Sequence, residues 1–285
     1  MTSDPRAGGG ARGATPLEFR RLEAKYFVDR PRRTALGRDL RALMRPDAHA
    51  GGDGSYLVRS LYFDTPDFMA YHEKLQGLAI RHKLRVRVYG EPRGAPAIRL
   101  EVKSRVLSHI HKLAVDVPRE EWKPVEEALF RRTAPPPGWL SANPAAREFF
   151  RIQRQWAMEP KILIEYRREA LERRELGRTR VNFDFDLRAS RDLDLLGNLR
   201  GSRSVLGCGQ SIFEIKVDGH VPFWLHMLIA KYDLQNEAIS KYCHGVRSEA
   251  WLSPSSRADE LAAAAEAEVV WEEARAGVGL RPAEI

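Results

Sequence analysis

Seven segments of this chain place charged side chains at every second position and apolar side chains between them. In the segment KLRVRVYG at 83–90, Lys83, Arg85 and Arg87 alternate with three aliphatic residues. Successive side chains of a β-strand point to opposite faces, so each segment predicts a strand with one apolar and one charged face. The other six segments are 22–26, 98–103, 110–117, 161–167, 179–186 and 213–217.

The composition of the charged faces is unusual. Half-buried antiparallel strands commonly alternate apolar and polar residues, and any one of these segments fits that description. Here the polar positions are almost all Arg, Lys, Glu or Asp, and the pattern Glu-x-Lys recurs at 23–25, 101–103 and 214–216. If the charged faces converge, each pair of cations repels by roughly a few kcal/mol at an effective dielectric constant near 20. Interleaved carboxylates and an anionic ligand would offset that repulsion, which predicts a cationic lumen that holds a phosphate chain.

The order of elements indicates the fold class. Strands are predicted at 20–28, 56–64, 80–89, 97–104, 110–117, 161–168, 179–187 and 212–217. Helical spacing and start signals such as Asn143 before Pro144 predict helices at 32–45, 66–75, 118–132, 143–157 and 221–231. Helices fall between pairs of strands rather than after each one, which favours an antiparallel sheet. We therefore predict an α+β fold, a closed antiparallel β-barrel with a charged lumen and helices packed outside.

Charge is unevenly distributed along the chain. Residues 1–16, rich in Gly, Ala and Pro, predict a disordered tail, and 251–285 predict an acidic C-terminal helix and tail. The net charge of the whole chain is +8. Residues 251–285 carry −4 and residues 1–16 carry +1, so residues 17–250 carry +11. Such an excess predicts that the folded domain binds an anionic partner.

Several classes of protein are disfavoured by missing motifs. The two cysteines form no CxxC or Cys/His cluster, which argues against zinc. Nothing fits the phosphate-binding motif GxxxxGK[ST], and no Ser/His/Asp or Cys/His set suggests a protein nucleophile. The N-terminus has no apolar signal segment, and the longest apolar run, VPFWLHMLIA, is too short to span a membrane. We expect a soluble, cytoplasmic protein.

Eight short motifs together resemble a known family. RLEAKYF, SLYFDT, KLRVRVYG, LEVKS, EYRREA, RVNFDFD, FEIKV and ISKYCHG occur in the order seen in VTC domains. VTC domains are the polyphosphate polymerase members of the triphosphate tunnel metalloenzymes, the CYTH superfamily. The resemblance covers about 17–250 and implies a tunnel of antiparallel strands with helices outside.

The resemblance also implies roles for particular residues. The family's phosphate-binding bases match Lys25, Arg85, Arg87, Lys103, Lys112, Arg167, Arg180, Lys216 and Lys241. Lys83 lies on the same strand face as Arg85 and Arg87 and is a weaker candidate for binding ATP or phosphate. Arg81 lies on that face too, but it is not among the predicted ligands. The metal-binding glutamate matches Glu214, with Glu101 and Glu23 as further candidates. Yeast-type members carry a lysine where this chain has Ala238.

The implied activity is transfer of the γ-phosphoryl group of ATP to a growing polyphosphate, with Mg²⁺ or Mn²⁺ as cofactor. Arg85, Arg87, Lys103, Arg167 and Glu214 are the predicted catalytic residues. With water as the acceptor, the same residues would make a triphosphatase or polyphosphatase. A non-catalytic module that binds polyphosphate is the alternative from another class.

Other features have simpler interpretations. A nucleic-acid partner is disfavoured because the aromatic residues fall mostly on apolar strand faces, as Phe183 and Phe213 do. His82 is interpreted as a packing residue with a hydrogen bond. The acids of the DFD segment at 184–186 share the parity of Arg180, and we expect them to orient arginines of the lumen.

Overall fold

The computed structural model describes residues 21–107, 109–134, 138–173 and 178–249. Ten strands form one antiparallel sheet: β1 (Arg21–Val28), β2 (Arg45–Pro46), β3 (Ser55–Asp64), β4 (Ile80–Tyr89), β5 (Ala97–Val106), β6 (His109–Pro118), β7 (Glu159–Arg173), β8 (Thr179–Ser190), β9 (Arg203–Ser204) and β10 (Ser211–Asp218). The hydrogen-bonded path runs β1-β10-β8-β7-β3-β4-β5-β6, with β2 added to β7 and β9 to β8. All eight predicted strands are confirmed, and β2 and β9 are additional.

The described ranges contain seven α-helices: α1 (Arg30–Leu43), α2 (Met69–Leu75), α3 (Trp122–Arg131), α4 (Trp139–Ala142), α5 (Pro144–Gln155), α6 (Phe223–Lys231) and α7 (Lys241–Ser248). None of these has the length and apolar composition that a membrane-spanning helix requires. The predicted tail 1–16 and acidic helix 251–285 lie outside the described residues.

Hydrogen bonds at the first turns of α5 and α2 explain why one predicted helix start is correct and the other is not. Asn143 caps α5 as predicted, because its side-chain oxygen accepts the backbone N–H groups of Ala145 and Ala146. The predicted start of α2 at residue 66 was wrong. The Thr65 hydroxyl accepts the N–H of Met69, so the helix begins three residues later than Pro66. Helix α7 was not predicted at all.

The sheet curls strongly, so that its two ends approach each other. Glu23 on β1 and Lys103 on β5 lie near opposite ends of the sheet path, yet Lys103 Nζ is 3.8 Å from Glu23 Oε2. Among the described residues, β1 and β6 are not paired with each other, so side chains bridge the seam between the two ends of the sheet. We call the surface that carries Glu23 and Lys103 the concave face.

Two apolar cores cover the opposite, convex face. One packs β4 and β5 against α3 and α5, and includes Val86, Leu100 and Phe149. The other packs β1, β8 and β10 against α1 and α6, with Phe183 and Phe213 stacked at 4.8 Å between ring centroids. The predicted outward apolar faces of these strands and their cover by helices are therefore confirmed.

A third core lies on the concave face and was not predicted. Helix α7 packs inside the curl, where Tyr242 and Val246 meet Ile162 and Ile164 of β7. Gly245 permits this close approach, because a Cβ at that position would lie 2.8 Å from Ile164 Cδ1. The concave face is consequently apolar where α7 packs against it, and charged residues occupy other parts of it.

Candidate anion-binding site on the concave face

Strands β4, β5 and β6 bring their charged residues into cross-strand rows. Lys83 lies opposite Lys103, which lies opposite Lys112, and Arg85 lies opposite Glu101. Because residues directly opposite in an antiparallel ladder share a face, strand pairing alone places these side chains together. The row predicted from KLRVRVYG therefore faces the concave side, as expected.

Glu101 is the centre of the first charged cluster. Its side chain is 4% exposed and accepts a hydrogen bond from Arg85 Nε. Arg87 Nη1 lies 4.0 Å and Lys112 Nζ 3.9 Å from its oxygens. Burial opposes ionisation of this carboxyl, but the surrounding cations outweigh burial and hold its pKa at about 2. Glu101 is therefore an anion that fixes three cations.

Glu214 is the centre of the second cluster, on the opposite wall. Its Oε2 lies 3.0 Å from Lys216 Nζ and 3.7 Å from Arg168 Nη2, and Asn182 Nδ2 donates to it at 3.2 Å. Lys25 Nζ is 4.0 Å from Oε1. The cations lower the pKa of Glu214 well below its ordinary value despite burial. Strand register explains the cluster, because Lys25, Glu214 and Asn182 are directly opposite one another on β1, β10 and β8.

Arg168 belongs to a buried network with Asp184 and Lys241. Its guanidinium donates two hydrogen bonds to the Asp184 carboxylate, and Lys241 Nζ lies 2.6 Å from Asp184 Oδ2. Lys241 is the first residue of α7, whose N-terminus is capped by the Ser240 hydroxyl. The cations lower the pKa of Asp184 against the effect of burial, so its charge persists. The DFD prediction is confirmed for Asp184, which orients a concave-face arginine.

Glu23 joins the two clusters across the seam. Its carboxylate lies 3.0 Å from Lys25 Nζ and 3.8 Å from Lys103 Nζ. The side chains of Lys103 and Lys112 are 44% and 58% exposed, so these two cations can receive a ligand from solvent. The exposed and the buried cations together form a graded positive surface.

Tyrosines add polar rings to this surface. Lys83 Nζ lies 4.9 Å from the ring centroid of Tyr62, and Lys241 Nζ lies 5.0 Å from that of Tyr166. Burial lowers the pKa of Lys83 to about 8. Burial raises the pKa of Tyr62, but the charges of Lys83, Arg85 and other cations outweigh it and set the value at about 7. Lys83 and Tyr62 therefore share a strongly positive environment.

The structure does not place one predicted site residue, Arg167, with the others. Arg167 lies away from the concave face, where it donates to Asp53 and to the Ser55 hydroxyl. The neighbouring Arg168 occupies the predicted place. The alternation pattern of β7 predicted that the apolar side chains of Ile162, Ile164 and Tyr166 face outward. In the structure they face inward, because α7 packs against them inside the curl. Arg167 and Arg168 are adjacent in the segment YRREA and point to opposite faces of β7, so alternation alone does not tell which of them lies on the concave face.

The other predicted residues are positioned as follows. Lys25, Lys83, Arg85, Arg87, Lys103, Lys112, Lys216, Lys241, Glu23, Glu101 and Glu214 meet on the concave face. Arg180 shares the parity of Asn182 and Asp184, but its guanidinium is engaged by the buried carboxylate of Asp47. Arg168 and Tyr62 also lie on the concave face and were not predicted from the sequence. His82 is on the convex side and its Nδ1 lies 2.8 Å from the Ser104 hydroxyl oxygen, as predicted for a packing residue.

The carboxylates fit a metal that is shared with a ligand. Among the described residues, no group of three or more His, Cys, Asp and Glu side chains could hold a metal ion. Lys25 nevertheless bridges Glu23 and Glu214, so their oxygens are no further apart than the sum of its two distances, 3.0 and 4.0 Å. Magnesium usually binds one or two carboxylates and completes its sphere with water and substrate phosphates. Glu214 and Glu23 suit that mode of binding, with phosphate oxygens as the remaining ligands.

Fold and site together define the class. The chain is an α+β protein with a strongly curled, barrel-like antiparallel sheet, whose concave face carries many converging cations and a few carboxylates. The sequence profile of the VTC domain matches residues 20–250. The chain belongs to the VTC domain family, and the resemblance stated from its motifs is confirmed.

The solved structures that match this chain are distant from it in sequence. A putative adenylate cyclase from Bacillus halodurans is 14% identical, with 77% of this chain and 92% of that chain covered and a TM-score of 0.44. HpAC1 from Hippeastrum, a putative adenylyl cyclase described as having a dominant triphosphatase activity, is 15% identical over 82% and 98%, with a TM-score of 0.45. PH1819 from Pyrococcus horikoshii is 11% identical over 80% and 99%, with a TM-score of 0.44. No curated protein sequence is significantly similar to the chain.

Proposed function

We propose that this protein is a metal-dependent polyphosphate polymerase, which transfers the γ-phosphoryl group of ATP to a growing polyphosphate chain. One observation carries the proposal. Two cation clusters, centred on Glu101 and Glu214, face each other across one concave surface and are joined by Glu23. Such a surface suits a linear chain of phosphates, and membership of the VTC domain family supports the same substrate class.

The cations would bind the triphosphate and stabilise the transferring group. Arg85 and Arg87 on one wall and Arg168 on the other offer fixed guanidinium donors, and Lys103 and Lys25 add further positive charges. Positioned cations stabilise the charge that spreads over the equatorial oxygens of a transferring phosphoryl group. A divalent metal held by Glu214 and Glu23 would neutralise further charge on the phosphate oxygens.

The chemistry needs no protein nucleophile. A terminal oxygen of the polyphosphate would attack the γ-phosphorus in line, forming a new P–O–P bond while the bond to the β-phosphate oxygen breaks. ADP leaves with the electron pair of that bond. The role of the protein is to hold both anions close together despite their repulsion, which the excess of cations on the concave face makes possible.

Hydrolysis is the second candidate, because the same cations would stabilise attack by water. The exposed positions of Lys103 and Lys112 favour this possibility, since they leave part of the site open to solvent. The products would then be ADP and free phosphate, or shortened polyphosphate. A binding module would release neither product.

Purified protein, ATP and Mn²⁺ provide the test, with polyphosphate, ADP and free phosphate all measured. A polymerase yields polyphosphate and ADP in step, with one phosphate unit incorporated for each ADP. Free phosphate without polymer would contradict the proposal and indicate a hydrolase. No turnover at all would indicate a non-catalytic binding module.

Two variants test the site itself. We expect Glu214→Gln and Arg85→Ala each to reduce turnover by about 100-fold, which is typical for removal of one charge-stabilising group. Arg93→Ala is a matched control, because Arg93 is exposed in a short turn between β4 and β5. If both site variants keep wild-type turnover, the assignment of the site is wrong.

A further inference from the structure

The cation row of β4 and β5 extends beyond the predicted phosphate ligands. Arg81 lies directly opposite Arg105, two positions along the strands from the row of Lys83 and Lys103. Arg81 has the same parity as Lys83 and therefore shares the concave face. Antiparallel strands rise about 3.4 Å per residue, so the row from Arg81 to Arg87 is about 20 Å long.

Strand pairing brings no carboxylate into the cross-strand rows at this end, although Glu23 of β1 approaches Lys103 across the seam. Arg105 is paired with Ile110 of β6, and Lys103 with Lys112, so neither row contains a carboxylate. At the other end, by contrast, Glu101 accepts a hydrogen bond from Arg85. Like charges directly opposite each other destabilise a sheet, and a ligand of opposite charge would relieve that repulsion.

Helix α2 packs against β4 and carries a third cation, Lys74. Burial lowers the pKa of Lys74, and the nearby charges of Arg81 and Arg105 lower it further. Glu73, also on α2, is the acid whose charge acts on Arg81. The one carboxylate that acts on Arg81 is outnumbered by the cations Lys74, Arg81 and Arg105, so a net positive charge remains.

We propose that Lys74, Arg81 and Arg105 form a distal subsite that binds the phosphates of a linear polyphosphate beyond those held at Arg85 and Arg87. The inference rests on the proposed function in taking linear polyphosphate as the ligand. The row is longer than a triphosphate group, so ATP cannot occupy both ends at once. The distal subsite consequently selects for long chains and leaves binding of a triphosphate unaffected.

Binding measurements without ATP or metal test the subsite. The variant is Arg81→Gln with Arg105→Gln, and the ligands are inorganic tripolyphosphate and a linear polyphosphate of tens of units. We expect the affinity for the long chain to fall about tenfold, with a shallower dependence on salt, because two ion contacts are lost. Affinity for tripolyphosphate should stay within about twofold of wild type. Equal losses for both ligands, or no loss for either, would overturn the proposal.

Two controls keep the result interpretable. Arg93→Gln with Arg147→Gln removes the same charge from exposed positions outside the concave face and should leave the affinities for both ligands nearly unchanged. Removing one like-charged pair should not lower the melting temperature. If the double variant nevertheless unfolds, Arg105→Gln alone, at an exposed position, should still weaken long-chain binding selectively, and no selective loss there would overturn the proposal. A protein that binds long chains selectively yet makes no polymer would refute the polymerase proposal and keep the subsite.

Discussion

Arg168 and Asp184 form a two-point ion pair on the concave face, with Nε–Oδ1 at 2.7 Å and Nη2–Oδ2 at 2.8 Å. Their side chains are 9% and 0% exposed. Paired hydrogen bonds of this kind fix the plane of a guanidinium as well as its position. Because Arg168 also reaches Glu214 at 3.7 Å, the pair connects α7 and the second cation cluster.

This relationship predicts that substitution of two adjacent arginines has different effects on tripolyphosphate binding. Arg168→Gln should weaken tripolyphosphate binding by about tenfold or more, since a charged hydrogen-bonding group contributes roughly 1.5–3 kcal/mol. Arg167→Gln should change it little, because Arg167 contacts Asp53 and Ser55 away from the concave face. Calorimetric titration of both variants measures the difference.

The buried charge of Asp184 requires a control for folding. Arg168→Gln leaves that carboxylate with Lys241, so thermal unfolding should accompany the titration. Arg168→Lys keeps the charge and loses the two-point geometry, and we expect intermediate affinity. Stronger loss in Arg167→Gln than in Arg168→Gln would contradict the assignment.

Lys83 should make phosphate binding depend on pH. Burial lowers its pKa from 10.5 to about 8, so the folded protein loses this positive charge as the pH rises through 8. Tripolyphosphate affinity should therefore fall when the pH is raised from about 7 to about 9. Between pH 8 and 10.5 the unfolded chain holds a proton on Lys83 that the folded protein has already released. The free energy of unfolding therefore rises with pH in this range.

Lys83→Arg is the matching variant, because an arginine stays charged throughout this range. Part of the pH dependence should remain in this variant, because burial lowers the pKa of Lys216 to about 8 and the surrounding cations hold the pKa of Tyr62 at about 7 despite burial. Ionisation of the ligand is identical in both titrations and cancels. An unchanged slope in Lys83→Arg would show that Lys83 does not bind the anion.

Metal binding should require phosphate. Lys25 and Lys216 already neutralise Glu214, and Lys25 and Lys103 neutralise Glu23. We expect weak Mn²⁺ binding to the free protein and binding at least about tenfold tighter with tripolyphosphate present, because phosphate oxygens supply the missing ligands. Mn²⁺ titrations of the wild type with and without tripolyphosphate test this expectation, and a titration of the tripolyphosphate complex of Glu214→Gln tests the ligand. Equal affinity in the two complexes would exclude Glu214 as a ligand.

Helix α7 should tolerate no side chain at Gly245. A Cβ there would lie 2.8 Å from Ile164 Cδ1 and 3.3 Å from Ile162 Cδ1, both on fully buried residues. Gly245→Val should lower the free energy of unfolding by about 1–3 kcal/mol, the usual cost of overpacking a core. Chemical denaturation measures it, with Gly94→Ala as the control at an open position. Equal stability in the two variants would show that α7 can move aside.

The sequence was sufficient to predict which face of a strand a residue occupies wherever the alternation of apolar and charged residues had only one consistent interpretation. On β1, β4, β5 and β10, apolar residues fit under helices and charged residues do not, so the parity of Arg85, Glu101 and Glu214 followed from the pattern alone. The eight strands and the start of α5 at Pro144 followed from equally local signals. Family motifs then indicated what a face of cations would bind.

Tertiary structure decided what lies inside the curl. A period of two indicates that Ile164 and Tyr166 share a face, but not whether that face meets outer helices or α7. Helix α7 lies in the curl because Gly245 permits close contact, and its N-terminal Lys241 reaches Asp184. That arrangement selects Arg168 instead of Arg167. Sequence thus determined which residues face together, and only packing between distant segments determined which face surrounds the anion.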